Sequence, residues 1–455
     1  MKIGRYTVCG LLGRGGMGAV FKARQPVTGR IVALKVLKPS DMMELLVDEE
    51  ELVARFEAEA RIMGKLDHPN IAAIWDYDVA DGTPFFIMEY FCRNLGMVIG
   101  ESYRVEAPTR KLPLTTAVSY ASQTLDALYR MHQAGIVHRD VKPFNLMITG
   151  LDEIKLIDFG LSRLRGEMMP TSAAKGERIG SPYYAAPEQE AAPDSVDGRA
   201  DIFSVGVMLY RMLTGVLPTD EALYTNNIVP RASQYSLDLD AEWDAFFDTA
   251  MAYDREKRFA TAKEMRLALD VLVEKWQERV ENECRFIDEF AETQPCPTDA
   301  PALRTEPLKV RLHDAQKTFR LDSLWRPDCA GMADIVDNED GTVTDAATGK
   351  MWQQSGSEFA CTWEEAHDYI AGLNENKFAG YNDWKLPTVD ELSSLVQEPP
   401  ELGAFCVPQL LDSAQDTLWT CDTKSYMAAW FVSASMGFVG WQDMTCQFAV
   451  RAVRG

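Results

Sequence analysis

A lysine and a glutamate in the first 60 residues form the first pair whose types and spacing suggest chemistry. Lys35 ends the apolar segment VALK, and Glu59 lies between Phe56 and Met63 on the apolar face of a helix predicted over residues 50–66. A carboxylate that points into a protein interior needs a cationic partner, and Lys35 can supply it. An ammonium group held in this way can neutralise phosphate oxygens. The pair therefore indicates a phosphorylated ligand.

The segment IVHRDVKPFN carries a second set of residues suited to phosphoryl transfer. Asp140 can accept the proton of an incoming hydroxyl group, and Lys142 can neutralise charge on the phosphoryl group. Asn145 precedes the segment LMIT and Asp158 follows EIKLI, and a turn at residues 150–152 makes these segments a hairpin. Antiparallel pairing then brings Asn145 and Asp158 together at the open end of the hairpin. Two oxygen donors at that point predict a Mg²⁺ site.

The glycine-rich segment GRGGMGAVFKA is the element that must cover the phosphates. Gly13, Gly15 and Gly18 have the G-x-G-x-x-G spacing, which also occurs in dinucleotide-binding folds and in plain tight turns. In a dinucleotide-binding fold the last glycine opens a helix. Here apolar residues on both sides of the glycines predict a strand, a turn and a strand. The glycines are therefore predicted to form a flap over phosphates.

In this order and spacing, the motifs of about the first 280 residues resemble those of eukaryotic-type serine/threonine protein kinases. The matching segments are the glycine loop, VALK, the helix with Glu59, HRDVKPFN, DFG, GSPYYAAPE, DIFSVG and REKRF. The resemblance implies that Asp201 anchors the catalytic loop and that Arg258 pairs with Glu188. Lysine at position 142 is typical of serine/threonine rather than tyrosine specificity. All the catalytic side chains are present, which favours an active kinase over a pseudokinase.

The resemblance also implies a bilobal fold with ATP and Mg²⁺ in the cleft. The segment PFFIMEYF would form the hinge, with Met88 as the gatekeeper and the backbone of residues 89–91 against adenine. The implied catalytic residues are Asp140, Lys142, Lys35 and Glu59. The implied cofactor-binding residues are Gly13, Gly15, Gly18, Val20, Ala33, Lys35, Met88, Glu89, Phe91, Asn145 and Asp158, of which Asn145 and Asp158 hold the metal. The candidate sites for activating phosphorylation are Thr171, Ser172 and Ser181.

A second region, from about residue 328, resembles the Lcl C-terminal domain. The resemblance rests on DGTVTD, TGKMW, TWEEA, AGYNDWKLPTVDEL and the closing VRAVRG. It implies a C-type-lectin-like fold that binds a ligand on its loops. The segment DNEDGTVTDAATGKMW does not fit an EF-hand loop, and Asp340-Gly341 instead predicts a hairpin turn. Capping boxes predict helices that begin at Thr362 and at Thr388.

Aromatic residues near the end of the chain are candidates for a ligand surface, although strand alternation places some of them in the core. They are Tyr426, Trp430, Phe438 and Trp441. The uncharged stretch over residues 425–442 that contains them is interrupted by Met436-Gly437, so it predicts two short strands rather than a membrane helix.

Length and charge set the domain organisation. A chain of 455 residues exceeds what one hydrophobic core usually serves. We expect an α+β protein with a kinase domain at residues 1–280, an acidic proline-containing linker at 281–327 and an α+β lectin-like domain at 328–455. The net charge is −23, with 13 basic and 29 acidic residues in 281–455. This acidity argues against nucleic acid or an anionic membrane as a partner.

The kinase resemblance implies a serine/threonine kinase that uses ATP and Mg²⁺ to phosphorylate proteins, itself included, and we expect it in the cytoplasm. The first ten residues lack the apolar stretch of a signal peptide. The second domain is expected to be a sensor or docking module for an unknown ligand or partner. The sequence leaves open whether the chain forms a homodimer. The alternative is a lectin-like binding protein whose kinase lobe serves as a regulatory scaffold.

Overall fold

The protein is described here by a computed structural model. The described residues are 1–14, 18–39, 48–102, 106–158, 182–191, 195–218, 229–282, 303–328, 333–397, 406–412 and 415–455. The chain divides into two compact units, Met1–Cys284 and Arg285–Gly455.

An antiparallel sheet forms the first part of the first unit. Its strands are β1 (Lys2–Ile3), β2 (Tyr6–Arg14), β3 (Gly18–Arg24), β4 (Ile31–Leu37), β5 (Ile74–Ala80) and β6 (Thr83–Met88). They are arranged in the order β1-β2-β3-β4-β6-β5. One face is closed by a cluster that includes Val32, Leu34 and Phe85. The two predicted strands are confirmed, since β2, which contains Gly13, pairs with β3, which begins at Gly18.

Helix α1 (Glu49–Lys65) begins where its sequence supplies an N-cap. The side chain of Asp48 accepts a hydrogen bond from the backbone N–H of Glu51. Three glutamates in the first turn also interact favourably with the positive end of the helix dipole. The helix buries Phe56 and Met63. The predicted helix over residues 50–66 is therefore confirmed to within one residue at each end.

Helices dominate the rest of the first unit. They are α2 (Leu95–Ile99), α3 (Leu114–Gln133), α4 (Pro187–Ala191), α5 (Arg199–Thr214), α6 (Ala241–Ala250) and α7 (Ala262–Asn282), with 3₁₀ turns at Pro143–Asn145, Pro182–Tyr184, Ala232–Gln234 and Arg255–Lys257. A small sheet of β7 (Arg93–Asn94), β8 (Leu146–Ile148) and β9 (Ile154–Leu156) holds the predicted hairpin. Every residue of α5 after Arg199 is buried, as expected for a helix at the centre of a core.

The second unit combines two antiparallel sheets with short helices. The strands are β10 (Ile335–Asp337), β11 (Thr342–Asp345), β12 (Lys350–Gln353), β13 (Thr417–Thr423), β14 (Ala428–Ser433), β15 (Phe438–Asp443) and β16 (Val453–Arg454). The helices are α8 (Leu312–Phe319), α9 (Trp363–Glu375) and α10 (Val389–Ser393), with a 3₁₀ turn at Phe378–Gly380. One sheet has the order β10-β11-β12-β16, and the other has the order β13-β14-β15.

Local predictions in the second unit are confirmed. Gly341 has φ of 83° in the turn between β10 and β11, a conformation that favours glycine. Both capping boxes are present, with Thr362 before α9 and Thr388 before α10. The stretch over residues 425–442 forms β14 and β15 rather than a helix. No helix in the described part of the chain is long and apolar enough to cross a membrane.

The predicted linker over 281–327 is too long at its C-terminal end. Val310, Phe319 and Leu321 are buried in the core of the second unit, where the Phe319 ring meets Trp430 edge-on at 5.2 Å between centroids. The backbone N–H of Val310 also donates to the carbonyl of Thr423. The prolines and acidic residues of this stretch are typical of a linker, which is why the sequence predicted one. Its apolar residues follow no regular spacing, so their place in the core becomes visible only in the folded structure.

Candidate active site

The ammonium group of Lys35 lies between two carboxylates. Lys35 is on β4, and its Nζ is 2.8 Å from Glu59 Oε1 and 3.1 Å from Asp158 Oδ1. The Lys35 and Glu59 side chains are almost fully buried, whereas Asp158 keeps 42% of its side chain exposed. Burial lowers the pKa of Lys35, but attraction to Asp158 and Glu59 outweighs it, so the pKa lies above its usual value. Lys35 is therefore a fixed positive charge beside a reachable carboxylate.

Asp140 is held by two residues that follow it in the catalytic-loop segment, Lys142 and Asn145. Lys142 Nζ lies 2.9 Å from both carboxylate oxygens of Asp140. Asn145 Nδ2 donates to Asp140 Oδ2 at 3.0 Å and to its backbone carbonyl at 2.7 Å. The Asp140 side chain retains 27% exposure. A hydroxyl group can therefore approach a carboxylate whose orientation is already set.

The hairpin of β8 and β9 brings Asn145 close to the chain around Asp158. Leu146 pairs with Leu156, and the backbone N–H of Ile157 donates to the carbonyl of Asn145 at 3.0 Å. Asp158 follows directly and has φ of 56°. This left-handed backbone is uncommon for a residue other than glycine and is typical of functional sites.

A buried aspartate on α5 fixes the backbone before Asp140. Asp201 accepts hydrogen bonds from the backbone N–H groups of His138 at 2.9 Å and Arg139 at 2.7 Å. Its carboxylate also lies 2.8 Å from His132 Nε2. Arg139 has φ of 67°, so these bonds offset the strain of its left-handed backbone. The structure thus brings Asp201 to the loop, as the sequence predicts.

The ion pair expected between Arg258 and Glu188 is also present. Arg258 Nη1 and Nη2 donate to the two carboxylate oxygens of Glu188 at 2.7 and 2.9 Å. The Arg258 side chain is fully buried, and such a two-point contact fixes α4 against the chain before α7.

The residues expected around the nucleotide lie on neighbouring strands of the first sheet and on the segment that follows β6. Ala33 pairs in register with Met88, and both are buried. Val20 pairs with Lys35 on one side and with Gly13 on the other. The Glu89 N–H donates to the Ala73 carbonyl at 3.4 Å, and Phe91 follows as a half-buried residue.

The glycine flap approaches the next strand closely at its C-terminal end. A Cβ atom at Gly18 would lie 2.3 Å from the carbonyl oxygen of Val36, so only glycine fits there without displacing backbone. Gly15 lies outside the described residues, as do the candidate phosphorylation sites Thr171, Ser172 and Ser181.

Comparison with known proteins places this geometry in a family. Residues 6–276 match the model of the protein kinase domain. The chain belongs to the protein kinase family. That family uses ATP and a divalent metal. The first unit, Met1–Cys284, has the fold of this family and is called the kinase unit below. Residues 341–454 match the model of the Lcl C-terminal domain, within the Lcl unit, Arg285–Gly455.

Several bacterial serine/threonine kinases are similar to the kinase unit. The probable serine/threonine-protein kinase SCO3848 of Streptomyces coelicolor is 34% identical over 282 residues, which cover 60% of this chain and 40% of that protein. Pkn1 of Myxococcus xanthus is 36% identical over 284 residues, with 60% and 38% covered. PknB of Mycobacterium tuberculosis strain H37Ra is 34% identical over 277 residues, with 58% and 42% covered. The chain thus spans about 40% of the length of these curated relatives.

The donor set of the kinase unit fits a nucleotide-bound divalent cation. Asp158 offers a carboxylate that is 42% exposed, and Asn145 offers an amide oxygen. No cluster of three or more histidine, cysteine, aspartate or glutamate side chains that could hold a metal occurs within the described ranges. A hard cation such as Mg²⁺ needs few protein ligands, because phosphates and water complete its coordination.

Sequence reasoning missed two residues that contact the segment around Asp140 or Asp201, which holds that segment. His132, in the last turn of α3, contacts Asp201, and Gln189 donates from Nε2 to the carbonyl of Arg139 at 2.8 Å. His132 lies six residues before His138 and outside the segment HRDVKPFN. Its position close to that segment was the only hint that the sequence offered. Gln189 had no local signal, because its partner lies 50 positions away.

Proposed function

We propose that the chain is an ATP- and Mg²⁺-dependent serine/threonine protein kinase that phosphorylates proteins, itself included. The observation that carries this proposal is the arrangement of two separate charge systems. Lys35 contacts Glu59 and Asp158, and Asp140 is oriented by Lys142 and Asn145. The first system suits phosphate binding, and the second suits activation of a hydroxyl group.

Each side chain has a distinct task in the proposed reaction. Bound ATP with Mg²⁺ supplies the phosphoryl group and neutralises part of its charge. Lys35 holds phosphate oxygens, and its bond to Glu59 keeps the ammonium group in place. Asp140 accepts the proton of the substrate hydroxyl, while Lys142 stands beside it as a positive charge. Asp158 and Asn145 are the proposed metal ligands.

Serine and threonine are the proposed acceptors. A lysine at position 142 is typical of kinases that phosphorylate serine and threonine. The similar bacterial proteins are also named serine/threonine-protein kinases. The test is to incubate the full chain with ATP, Mg²⁺ and a mixture of peptides that contain serine, threonine or tyrosine, and to map the phosphorylated residues. The matched control is Asp158→Asn. Label confined to tyrosine, or equal label from the control, would overturn the proposal.

We also propose that the Lcl unit is a sensor or docking module and that the kinase acts in the cytoplasm, where ATP is supplied. The Lcl unit offers an exposed Tyr426, 84% accessible, whereas Trp430 and Phe438 are buried. Of the predicted aromatic surface, Tyr426 and the half-buried Trp441 therefore reach solvent. Comparing autophosphorylation by the full chain with that by residues 1–284 tests the module. Equal autophosphorylation rates for the two proteins, with and without added candidate ligands, would contradict a sensor role.

A further inference from the structure

Strand β15 forms an edge of its sheet in the Lcl unit. The order of this sheet is β13-β14-β15, so β15 pairs with β14 on one side and, within the described part of the chain, with no strand on the other. Backbone groups at such an edge can pair with a further strand. The hydrogen bonds of β15 show which of its residues face the open side.

Trp441 directs its backbone N–H and C=O groups to the open side of β15. The Val439 N–H donates to the carbonyl of Trp325 at 2.9 Å and therefore points away from β14. Because the two sides of a strand alternate from residue to residue, Trp441 and Asp443 also face this side. The segment around Trp325 covers the edge at Val439 but is not paired with Trp441.

The backbone groups of Trp441 are available for a further strand. The outward groups of Asp443 are satisfied, since its N–H donates to Gln442 Oε1 and its carbonyl accepts from the Cys446 N–H, both at 2.9 Å. Among the described residues, the N–H and C=O groups of Trp441 have no such partner. One residue of an added antiparallel strand can therefore form two backbone hydrogen bonds with Trp441.

A positive charge lies on the ring of the same tryptophan. Lys424 Nζ is 2.9 Å from the centroid of the Trp441 indole ring, and the lysine is half-buried. Burial lowers the pKa of Lys424, and no carboxylate among the described residues raises it. The ammonium group can therefore still take an anionic partner.

A hydrogen-bonded turn between β13 and β14 holds this lysine next to β15. The Lys424 N–H donates to the carbonyl of Ala428 at 2.8 Å, and the Met427 carbonyl accepts from the Met444 N–H at 2.9 Å. Met444 follows β15 directly, so the turn lies against the end of that strand. Tyr426, 84% exposed, is part of the same turn. The turn thus places a charge and an aromatic ring beside the open edge.

An extended peptide segment matches these groups. Residues opposite each other in paired strands have Cβ atoms about 4.5–5.5 Å apart, so a side chain opposite Trp441 lies beside its ring. A glutamate there can bring its carboxylate to the ammonium group of Lys424. Residues 281–455 include 29 acidic and 13 basic residues, which disfavours a strongly acidic segment. One carboxylate among uncharged residues is therefore the best match.

We propose that the Lcl unit docks an extended segment of a partner protein, which adds as a strand to the edge of β15 at Trp441 and places one carboxylate on Lys424. This inference deepens the proposed docking role of the Lcl unit and rests on it. The backbone hydrogen bonds to Trp441 supply affinity, and Lys424 selects the side chain.

The test measures binding of labelled peptides to the full chain by fluorescence anisotropy. The probe is a peptide in which threonine and valine alternate around a central glutamate. A central glutamine should weaken binding about fivefold, as expected for the loss of one ion pair that solvent can reach. N-methylation of each peptide bond in turn should weaken binding about tenfold at one position, because the methyl group removes a backbone hydrogen bond.

Variants of the full chain assign the side-chain preference to Lys424. Lys424→Met keeps an apolar stem on the indole ring but removes the charge, so the affinity ratio between the glutamate and glutamine peptides should fall to about one. Lys424→Arg keeps the charge and should retain most of the ratio. Lys317→Met is the matched control, because Lys317 is an exposed lysine on α8 of the same unit, and it should leave the ratio unchanged. Thermal melts check that each variant folds.

Three results would overturn the inference. They are equal affinity of the wild type for both peptides, an unchanged ratio in Lys424→Met, and binding that N-methylation weakens at no position. Binding of dextran sulfate in the absence of any peptide binding would also overturn it, since Lys424 would then serve an anionic polysaccharide.

The failure of this inference is distinguishable from the failure of the proposed docking role. If no peptide binds but the full chain and residues 1–284 still differ in autophosphorylation, strand addition at Trp441 is wrong while the role of the Lcl unit stands. If no peptide binds and the two rates are equal, both proposals are wrong.

Discussion

The two units use buried charge in different ways. At the candidate site of the kinase unit, the charged residues form small groups in which one member reaches solvent, as Asp158 does beside the buried Lys35. In the Lcl unit, Asp422 is fully buried and its carboxylate accepts from Arg304 and from the backbone N–H groups of Leu308 and Val389. The first arrangement leaves room for a ligand, and the second is complete without one.

This difference teaches how to separate catalytic from structural charges. A structural charge has all its bonding capacity satisfied inside the protein, so its removal should affect mainly stability. A catalytic charge is oriented by neighbours but keeps an open side, so its removal should affect mainly activity. The predictions that follow test this contrast, from the largest expected effect to the smallest.

Asp158→Asn should abolish phosphoryl transfer and leave the fold intact. The substitution removes the negative charge proposed to hold the divalent cation, while Lys35 keeps its bond to Glu59. Autophosphorylation with labelled ATP measures the activity, and thermal unfolding measures the fold. Undiminished labelling by the purified variant would remove the metal-site assignment.

Asp140→Asn should lower the rate of phosphoryl transfer roughly 10²–10⁴-fold, the range for loss of a general base. Lys142 and Asn145 still surround the site, so stability should change little. Steady-state kinetics with a serine peptide measures the effect. The matched control is Glu153→Gln, an exposed acid in the same hairpin. A loss of the same size in that control would point to damage to the hairpin rather than to catalysis.

Arg304→Met should destabilise the Lcl unit by about 3–5 kcal/mol, because it leaves Asp422 buried without its cation. Kinase activity on peptides should be unaffected. Urea unfolding followed by tryptophan fluorescence is suitable, since seven of the ten tryptophans lie in residues 285–455. Arg454→Met is the control, because its partner Asp383 is 56% exposed and such pairs contribute about 0–1 kcal/mol. Equal effects of the two substitutions would contradict a structural role for the Arg304 pair.

Thr362→Ala should cost about 1 kcal/mol, because it removes the N-cap of α9. Thr362 Oγ1 accepts from the Glu365 N–H at 3.3 Å, and the Thr362 N–H donates to Glu365 at 2.8 Å. Thr362→Ser keeps the hydroxyl group and should retain most of the stability. The same urea titration measures both variants, and an unchanged midpoint for Thr362→Ala would show that the cap contributes nothing.

The pH dependence of this cap has a defined sign. Hydrogen bonds from the backbone and hydroxyl of Thr362 hold the pKa of Glu365 below its ordinary value of 4.5. The carboxylate therefore contributes stability that is present above pH 4.5 and is lost as the pH falls through the lowered pKa. The difference between wild type and Glu365→Gln should narrow on acidification, as urea midpoints at pH 7 and pH 3.5 will show. A constant difference would contradict this assignment.

Much of the site and of the local structure follows from sequence. The contact of Lys35 with Glu59 follows from an inward carboxylate on a helix and a lysine on an apolar strand. The turn at Gly341 and the caps at Thr362 and Thr388 follow from residues only a few positions apart. The long-range pairing of Arg304 with Asp422, separated by 118 positions, had no such signal.

The sequence by itself determined the kinase motifs, their order, the helix caps and the tight turns, because each depends on neighbouring residues or on strictly spaced ones. Only the tertiary structure decided that His132 joins Asp201 and that residues 303–328 belong to the Lcl unit. The reason is that contacts between distant segments depend on how whole elements pack, and a side chain's neighbours across a core leave no local pattern in the chain.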